Sequence, residues 1–307
     1  MALRRHPRIA PATCDRVLGL AKKLGYRPNP LVSALMGQLH GRRRSDQSPV
    51  IAEINAWPPE RDPWNSPTLF AEFRQGARER AAELGFVMES FRYGRQAGER
   101  RHLERLLAAR GIEGVFVVPV PNDLAVELTW ERVAAATLGH SLTSPRLHRA
   151  AVDQYANTWN LLEALRARGL WAIGLAQSRA AGDRLQHAWL GAFEAWARLH
   201  PELTVPALVF DPSDARAVDV WLRRSGARVV VHHEEEVGRA IRRLPARQRP
   251  EAWNLGLYGK SARCGIDPCR AAVGAAVVDL IVAQLNRNER GLPAVPKTLL
   301  IEGRVVG

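Results

Sequence analysis

The sequence predicts an α/β chain of two doubly wound parallel-sheet lobes, preceded by a small all-α N-terminal module. Three observations carry that reading. From Val50 onward, short apolar runs alternate with amphipathic stretches to the end of the chain, and such alternation places helices on both faces of a parallel sheet. The length, 307 residues at 46% hydrophobic content, suits two such units with a core each. The first 48 residues have a different texture, basic and helical, which sets them apart as a module of their own.

Taken in order, Val17, Leu20, Ala21 and Leu24 fall at i, i+3, i+4 and i+7, an apolar stripe that predicts a helix over about 10–25. Pro11 sits near its start, and Gly25 with Pro28 marks its end. A second helix is expected over 30–39, where Leu31, Leu35 and Leu39 repeat with Val32 and Met36 alongside. It is too short to hold alone in water and needs a partner helix or nucleic acid. The polar stretch 40–49 reads as a linker. Strands are expected at 50–56, 85–91, 113–120, 134–138, 171–176, 205–210, 227–231, 254–258 and 298–302. Helices are expected at 68–84, 96–110, 154–168, 182–199, 213–224, 234–243 and 268–287. The organisation is thus 1–48 for the N-terminal module and linker, and 49–307 for the two-lobed body.

The net charge of +13 is unevenly spread. Residues 1–44 hold ten Lys or Arg against Asp15 alone, a balance of +9 that leaves +4 for the other 263 residues. A concentrated basic end on a nearly balanced body is the footprint of a phosphate-contacting module; a solvated basic tail is the plainer alternative. No apolar run reaches membrane-spanning length and no secretory signal is visible, so a cytoplasmic chain is expected. Cys14, Cys264 and Cys269 are odd in number and not spaced as a zinc site, which fits a reducing compartment.

Catalytic signatures are lacking. No nucleophile elbow, phosphate-binding glycine loop or dinucleotide fingerprint follows any predicted strand, and no cofactor is expected. The run His232-His233-Glu234-Glu235-Glu236 invites a metal reading, but adjacent residues at a strand end point in different directions. A loop feeding a helix, with acids in its first turn, suits the run better.

The stretch from Arg8-Ile9 to Leu39, with Tyr26-Arg27-Pro28-Asn29-Pro30 at its centre, resembles the headpiece end and hinge of the lactose/galactose repressor (LacI/GalR) family. The resemblance continues through Leu69-Phe70-Ala71-Glu72-Phe73, Gly111-Ile112-Glu113-Gly114-Val115, Val152-Asp153-Gln154, Arg249-Pro250-Glu251 and Gly303-Arg304. It implies a periplasmic-binding-protein-like type I sensor behind a partial helix-turn-helix headpiece and a hinge helix. Lobe 1 is then expected at about 49–152 with 264–289, and lobe 2 at about 153–263 with 290–307. The implied function is a ligand-responsive, homodimeric regulator, in all expectation a repressor, acting on operator DNA. A solute-binding protein of the same fold without specific DNA binding is the alternative.

The resemblance gives residues roles. Leu35 stands where the family's hinge leucine wedges into the minor groove, with plain helix packing as the other reading. Arg27 and Asn29 are placed for phosphate contacts, and Arg4, Arg5 and Arg8 lie in the DNA-facing segment. Met1-Ala2-Leu3 matches only the last turn of the family's recognition helix, so the resemblance implies either a start upstream of Met1 that carries the base-reading residues or a headpiece that has lost them. Between the lobes, the resemblance points to Trp57, Trp64, Phe70, Asp153, His233 and Glu234 as contacts for an effector, a sugar or sugar derivative. The family's sugar-gripping arginine is replaced by Ala188, ahead of Gly191. Trp57 and Trp64, among Pro58, Pro59, Pro63 and Pro67, could stack on a sugar ring or serve lobe packing. Trp159, Trp171, Trp189, Trp196 and Trp221 are expected to be core or surface filler.

Overall fold

The computed structural model describes residues 10–23, 48–65, 70–121, 124–257 and 263–307. The expected hinge helix at 30–39 and the proposed DNA contacts Arg4, Arg5, Arg8, Arg27, Asn29 and Leu35 lie outside the described residues. Within them, the first element is α1 (Pro11–Lys23), with Cys14 buried and Leu20 exposed.

The body opens with β1 (Val50–Asn55), α2 (Phe70–Glu83), β2 (Val87–Arg92), α3 (Ala97–Ala109), β3 (Gly114–Val117), β4 (Ala134–Leu138) and β5 (His148–Val152). The strands β1, β3 and β4 occupy central positions and are buried, as strands covered on both faces require; β1 buries Glu53 and Asn55 among its apolar residues. The edge strand β2 carries Glu89 and Arg92 and is largely open, which guards an unpaired edge against further pairing. The chain then enters the second lobe with α4 (Gln154–Ala167), β6 (Ile173–Ser178), α5 (Arg179–Arg184), α6 (Ala188–Leu199), β7 (Leu208–Phe210), α7 (Ala215–Arg224), β8 (Val229–His232), α8 (Glu235–Arg243), β9 (Glu251–Asn254) and β10 (Gly265–Asp267). It returns to the first lobe as α9 (Arg270–Arg287) and β11 (Thr298–Ile301), and closes the second with β12 (Arg304–Val306).

Two six-stranded sheets result, in the orders β11-β5-β4-β3-β1-β2 and β12-β10-β9-β8-β6-β7. All pairings are parallel except β12 on β10. The sheet assignments correct the expected lobe boundaries at two places. Residues 265–267, expected with lobe 1, pair in the second sheet, and 298–301, expected with lobe 2, pair beside β5 in the first. The chain therefore crosses between lobes three times, at 152–154, 267–270 and 301–304.

Each lobe has cores on both faces of its sheet. In lobe 1, α2 and α9 pack Phe73, Ala77, Val273, Val277 and Ile281 against one face, and Leu103, Leu107 and Trp130 cover the other. In lobe 2, Leu161, Leu165, Phe193 and Trp196 fill one side, and Val218, Val237 and Ile241 the other. The helices α2 and α9 cross almost in backbone contact. A Cβ on Gly76 would stand 2.0 Å from the Ala271 carbonyl oxygen, and one on Gly274 would stand 1.9 Å from that of Phe73. The helix expected as one piece at 182–199 is two, because Gln186 and His187 adopt positive φ of 54° and 56° and turn the chain between α5 and α6.

Candidate effector site

The three crossings bring the carboxyl ends of both sheets face to face, the place where open α/β sheets bind ligands. A cavity of about 280 Å³ lies there. At ~30 Å³ per water, it has room for roughly nine waters or one small organic molecule. Lobe 1 supplies Phe70, Phe73, Pro119, Leu138, His140 and Ser141. Lobe 2 supplies Gln154, Arg184, Leu185, Trp189, His233 and Gly256. Arg270 and Val273, at the second crossing, form part of its wall. A larger open depression of about 440 Å³ lies over the outer side of α2, beside Trp64, Arg74 and Arg78. It belongs to one lobe alone and cannot sense their closure.

Local structure explains how each polar group is held. Asp153 begins α4, where its side chain accepts from the Ala156 N–H; this satisfies one of the helix's unpaired donors, and Asp153 is not among the residues lining the cavity. Gln154 follows and accepts from the Trp189 indole N–H at 2.7 Å through Oε1. That bond fixes Trp189 as an apolar wall, with its ring 5.2 Å from the tilted imidazole of His233. His233 follows β8, and its Nδ1 is buried without a hydrogen-bond partner among the described residues. Gly256 lets the imidazole and Arg270 approach the chain, since a Cβ there would lie 3.1 Å from His233 Cε1 and 3.4 Å from Arg270 Nη2.

Arg270 is the strongest link between the lobes. It opens α9 of lobe 1 and is 4% exposed. Its guanidinium donates to the lobe 2 carbonyls of Leu257 at 2.6 Å and Gly256 at 3.2 Å, and pairs with Glu72 of α2 at 3.1 Å. A buried guanidinium is tolerable only when its charge and donors are matched in this way. Burial lowers the His233 pKa; Glu234 opposes the shift and Arg270 adds to it. His140 is also lowered, by burial and then by Arg149. Both imidazoles are thus held toward the neutral form.

The residues expected at the effector site divide. Phe70 and His233 line the cavity. Trp57 is close behind it, with its indole N–H on the carbonyl of Pro119 at 2.5 Å. Trp64 does not face the cleft. It is 1% exposed in the lobe 1 core, edge-on to Phe116 at 5.6 Å and near Phe70 at 6.0 Å. The loop is pinned in that shape by Asp62, whose carboxylate accepts from the Trp64 and Asn65 amides and from the Asn55 side chain. Glu234 also stands apart from the cavity, accepting from the Ser178 N–H at 2.7 Å. Trp189, expected as filler, is buried in the lobe 2 core and also forms a wall of the cavity. Arg184, Gln154, His140, Ser141 and Arg270 escaped the sequence reading; their only signal is position at a strand or helix end that tertiary structure later brings together. Among the described residues no group of three or more His, Cys, Asp or Glu stands ready to hold a metal ion.

No protein-family profile matches the chain, and no curated protein does. Solved structures do. The lac repressor dimer bound to operator and the anti-inducer ONPF aligns over 98% of this chain and 90% of its own, with TM-score 0.59 and 15% identity. The chain shares the two-lobed fold of these structures. The transcriptional regulator CelR in complex with cellobiose aligns over 100% of this chain and 93% of its own, with TM-score 0.57 and 16% identity. A periplasmic binding protein/LacI transcriptional regulator from Alkaliphilus metalliredigens QYMF, complexed with D-xylulofuranose, covers 85% of this chain and 98% of its own, with TM-score 0.57 and 11% identity. No described helix of this chain is long and apolar enough to cross a membrane.

Proposed function

We propose that this protein is a ligand-responsive, homodimeric DNA-binding regulator, a repressor in its ordinary state, with a small-molecule effector between its lobes. The observation that carries the reading is the cavity at the lobe crossings, walled from both lobes and bridged by Arg270. A ligand there touches both lobes at once, so its binding free energy differs between open and closed arrangements. That difference is what shifts a two-state equilibrium. The basic segment 1–44 supplies the other half of the argument, an electrostatic attraction to phosphates that weakens with salt. Leu35 would wedge into the minor groove at the centre of a two-fold site, with Arg27 and Asn29 on the flanking phosphates. Cellobiose and D-xylulofuranose in the structural relatives favour a sugar-like effector here.

The test is selection of duplexes from a random pool by the full chain at about 0.15 M salt. The expected result is a two-fold symmetric consensus, bound more weakly by Leu35→Ala while effector binding is retained. Retention of duplexes without any enriched sequence would overturn the operator reading and leave a sensor with salt-dependent DNA affinity only.

A further inference from the structure

The charge in the cleft is one-sided. Two arginines, Arg184 and Arg270, and two histidines, His140 and His233, line the cavity, and no Asp or Glu is among its described wall residues. Arg270 is compensated by Glu72 and by two carbonyls. Arg184 is not. It ends α5, is half-buried against the cavity, and among the described residues its guanidinium makes no ion pair or hydrogen bond. Burial lowers its pKa and no neighbouring acid counters the shift, although an arginine keeps its charge in any protein setting. A guanidinium held beside apolar walls without a counter-ion is unfavourable unless something arrives to match it.

Resting on the reading of the cleft as an effector site, we infer that the effector is an anion: a small organic molecule whose carboxylate or phosphate oxygens are gripped by Arg184. The fork of the guanidinium suits two oxygens of one such group. The rest of the cavity fits the rest of such a molecule. The Nδ1 of His233, buried without a partner among the described residues, and the amide nitrogen of Gln154 offer hydrogen bonds to hydroxyls. Phe70, Leu185 and Trp189 cover a carbon skeleton. Lobe 1 offers Arg184 no carboxylate among its described wall residues, and its one charged group there, Arg270, is positive, so a cleft closed on a neutral ligand would leave the charge of Arg184 unmatched. Closed on an anion, it would not.

The experiment is calorimetric titration of the full chain with matched sets: glucose, its aldonate and its terminal phosphate ester, and ribose with the same two derivatives. The expected result is one-to-one binding by an aldonate or a phosphate ester, about tenfold or more tighter than by its neutral parent. The better of the two anion types identifies the source of the oxygens. Arg184→Gln should erase that preference, Arg184→Lys should keep part of it, and Arg105→Gln, which removes the same charge from the exposed face of α3, should leave it intact. Thermal melting verifies that each variant is folded. Equal binding of parent and anion, unaffected by Arg184→Gln, would overturn the inference while leaving the cleft as the effector site. Binding by no member of either set would overturn the anion assignment and the cleft reading together.

Discussion

Substituting Gly274 by alanine tests how the cleft is held from below. Gly274 sits where α9 crosses α2, and the added Cβ would lie 1.9 Å from the Phe73 carbonyl oxygen and 3.0 Å from the Ala77 nitrogen. Real Cβ contacts essentially never fall under 3.0 Å, so the helices must part by about 1.1 Å, the difference between 3.0 and 1.9 Å. The obstacle is backbone, so no rotamer change relieves it. Overpacking of this kind costs typically 1–3 kcal/mol, and a backbone clash belongs at the top of that range. Alanine returns about 1 kcal/mol of helix propensity, which leaves a net loss of about 2 kcal/mol. The same displacement moves Arg270 and Val273 on α9 relative to Phe70 and Phe73 on α2, so ligand affinity should fall with stability. Equilibrium urea unfolding followed by tryptophan fluorescence reads the first effect as a lower midpoint at unchanged slope. Gly191 provides the opposite case. It is an exposed residue of α6 with nothing within 4 Å of an added Cβ, and Gly191→Ala should stabilise by roughly 0.5–1 kcal/mol. A Gly274→Ala protein as stable as the parent would refute the packing argument.

Three further outcomes follow from the same geometry. His232 is 6% exposed with a pKa lowered to about 4, chiefly by burial. Between pH 6.5 and 4 the unfolded chain binds the proton and the folded chain does not. Stability should therefore drop by about 3 kcal/mol as the pH falls through that window, and His232→Gln should remove this component from a pH series of urea midpoints. Asp153→Ala should lose about 1 kcal/mol through the missing α4 cap while Asp153→Asn retains it, and neither should change ligand affinity in calorimetry. A bound effector should perturb tryptophan emission through Trp189. The change should vanish in Trp189→Phe and persist in Trp64→Phe, because Trp64 lies in the lobe 1 core.

The fold was largely legible because short apolar-rich strands, as in β3 and β4, alternate with helical stretches, and because short helices such as α7 and α8 are strongly amphipathic. Elements whose burial comes only from neighbours were not. β5 begins with His148 and Arg149 and gives no strand pattern, yet it is buried between β4 and β11. β10 and β12 are three residues each, too short to show a period. The candidate site was legible only at Phe70 and His233. Arg184 and Arg270 read as ordinary solvated charges in the sequence, and nothing local distinguishes a guanidinium that tertiary structure carries into a cleft. Trp64 misled for the converse reason: a proline-rich loop with two tryptophans reads as a cleft mouth, but the Asp62 hydrogen bonds fold it into the core.

If the cleft works as proposed, its occupancy controls affinity for DNA. The most direct test is the anisotropy of a labelled duplex carrying the selected sequence, titrated with the full chain with and without the tightest-binding member of the sugar-derivative sets. A shift of about 5- to 150-fold in DNA affinity, the span of typical allosteric couplings, is expected. DNA affinity that stays the same while calorimetry shows the cleft filled would contradict that control.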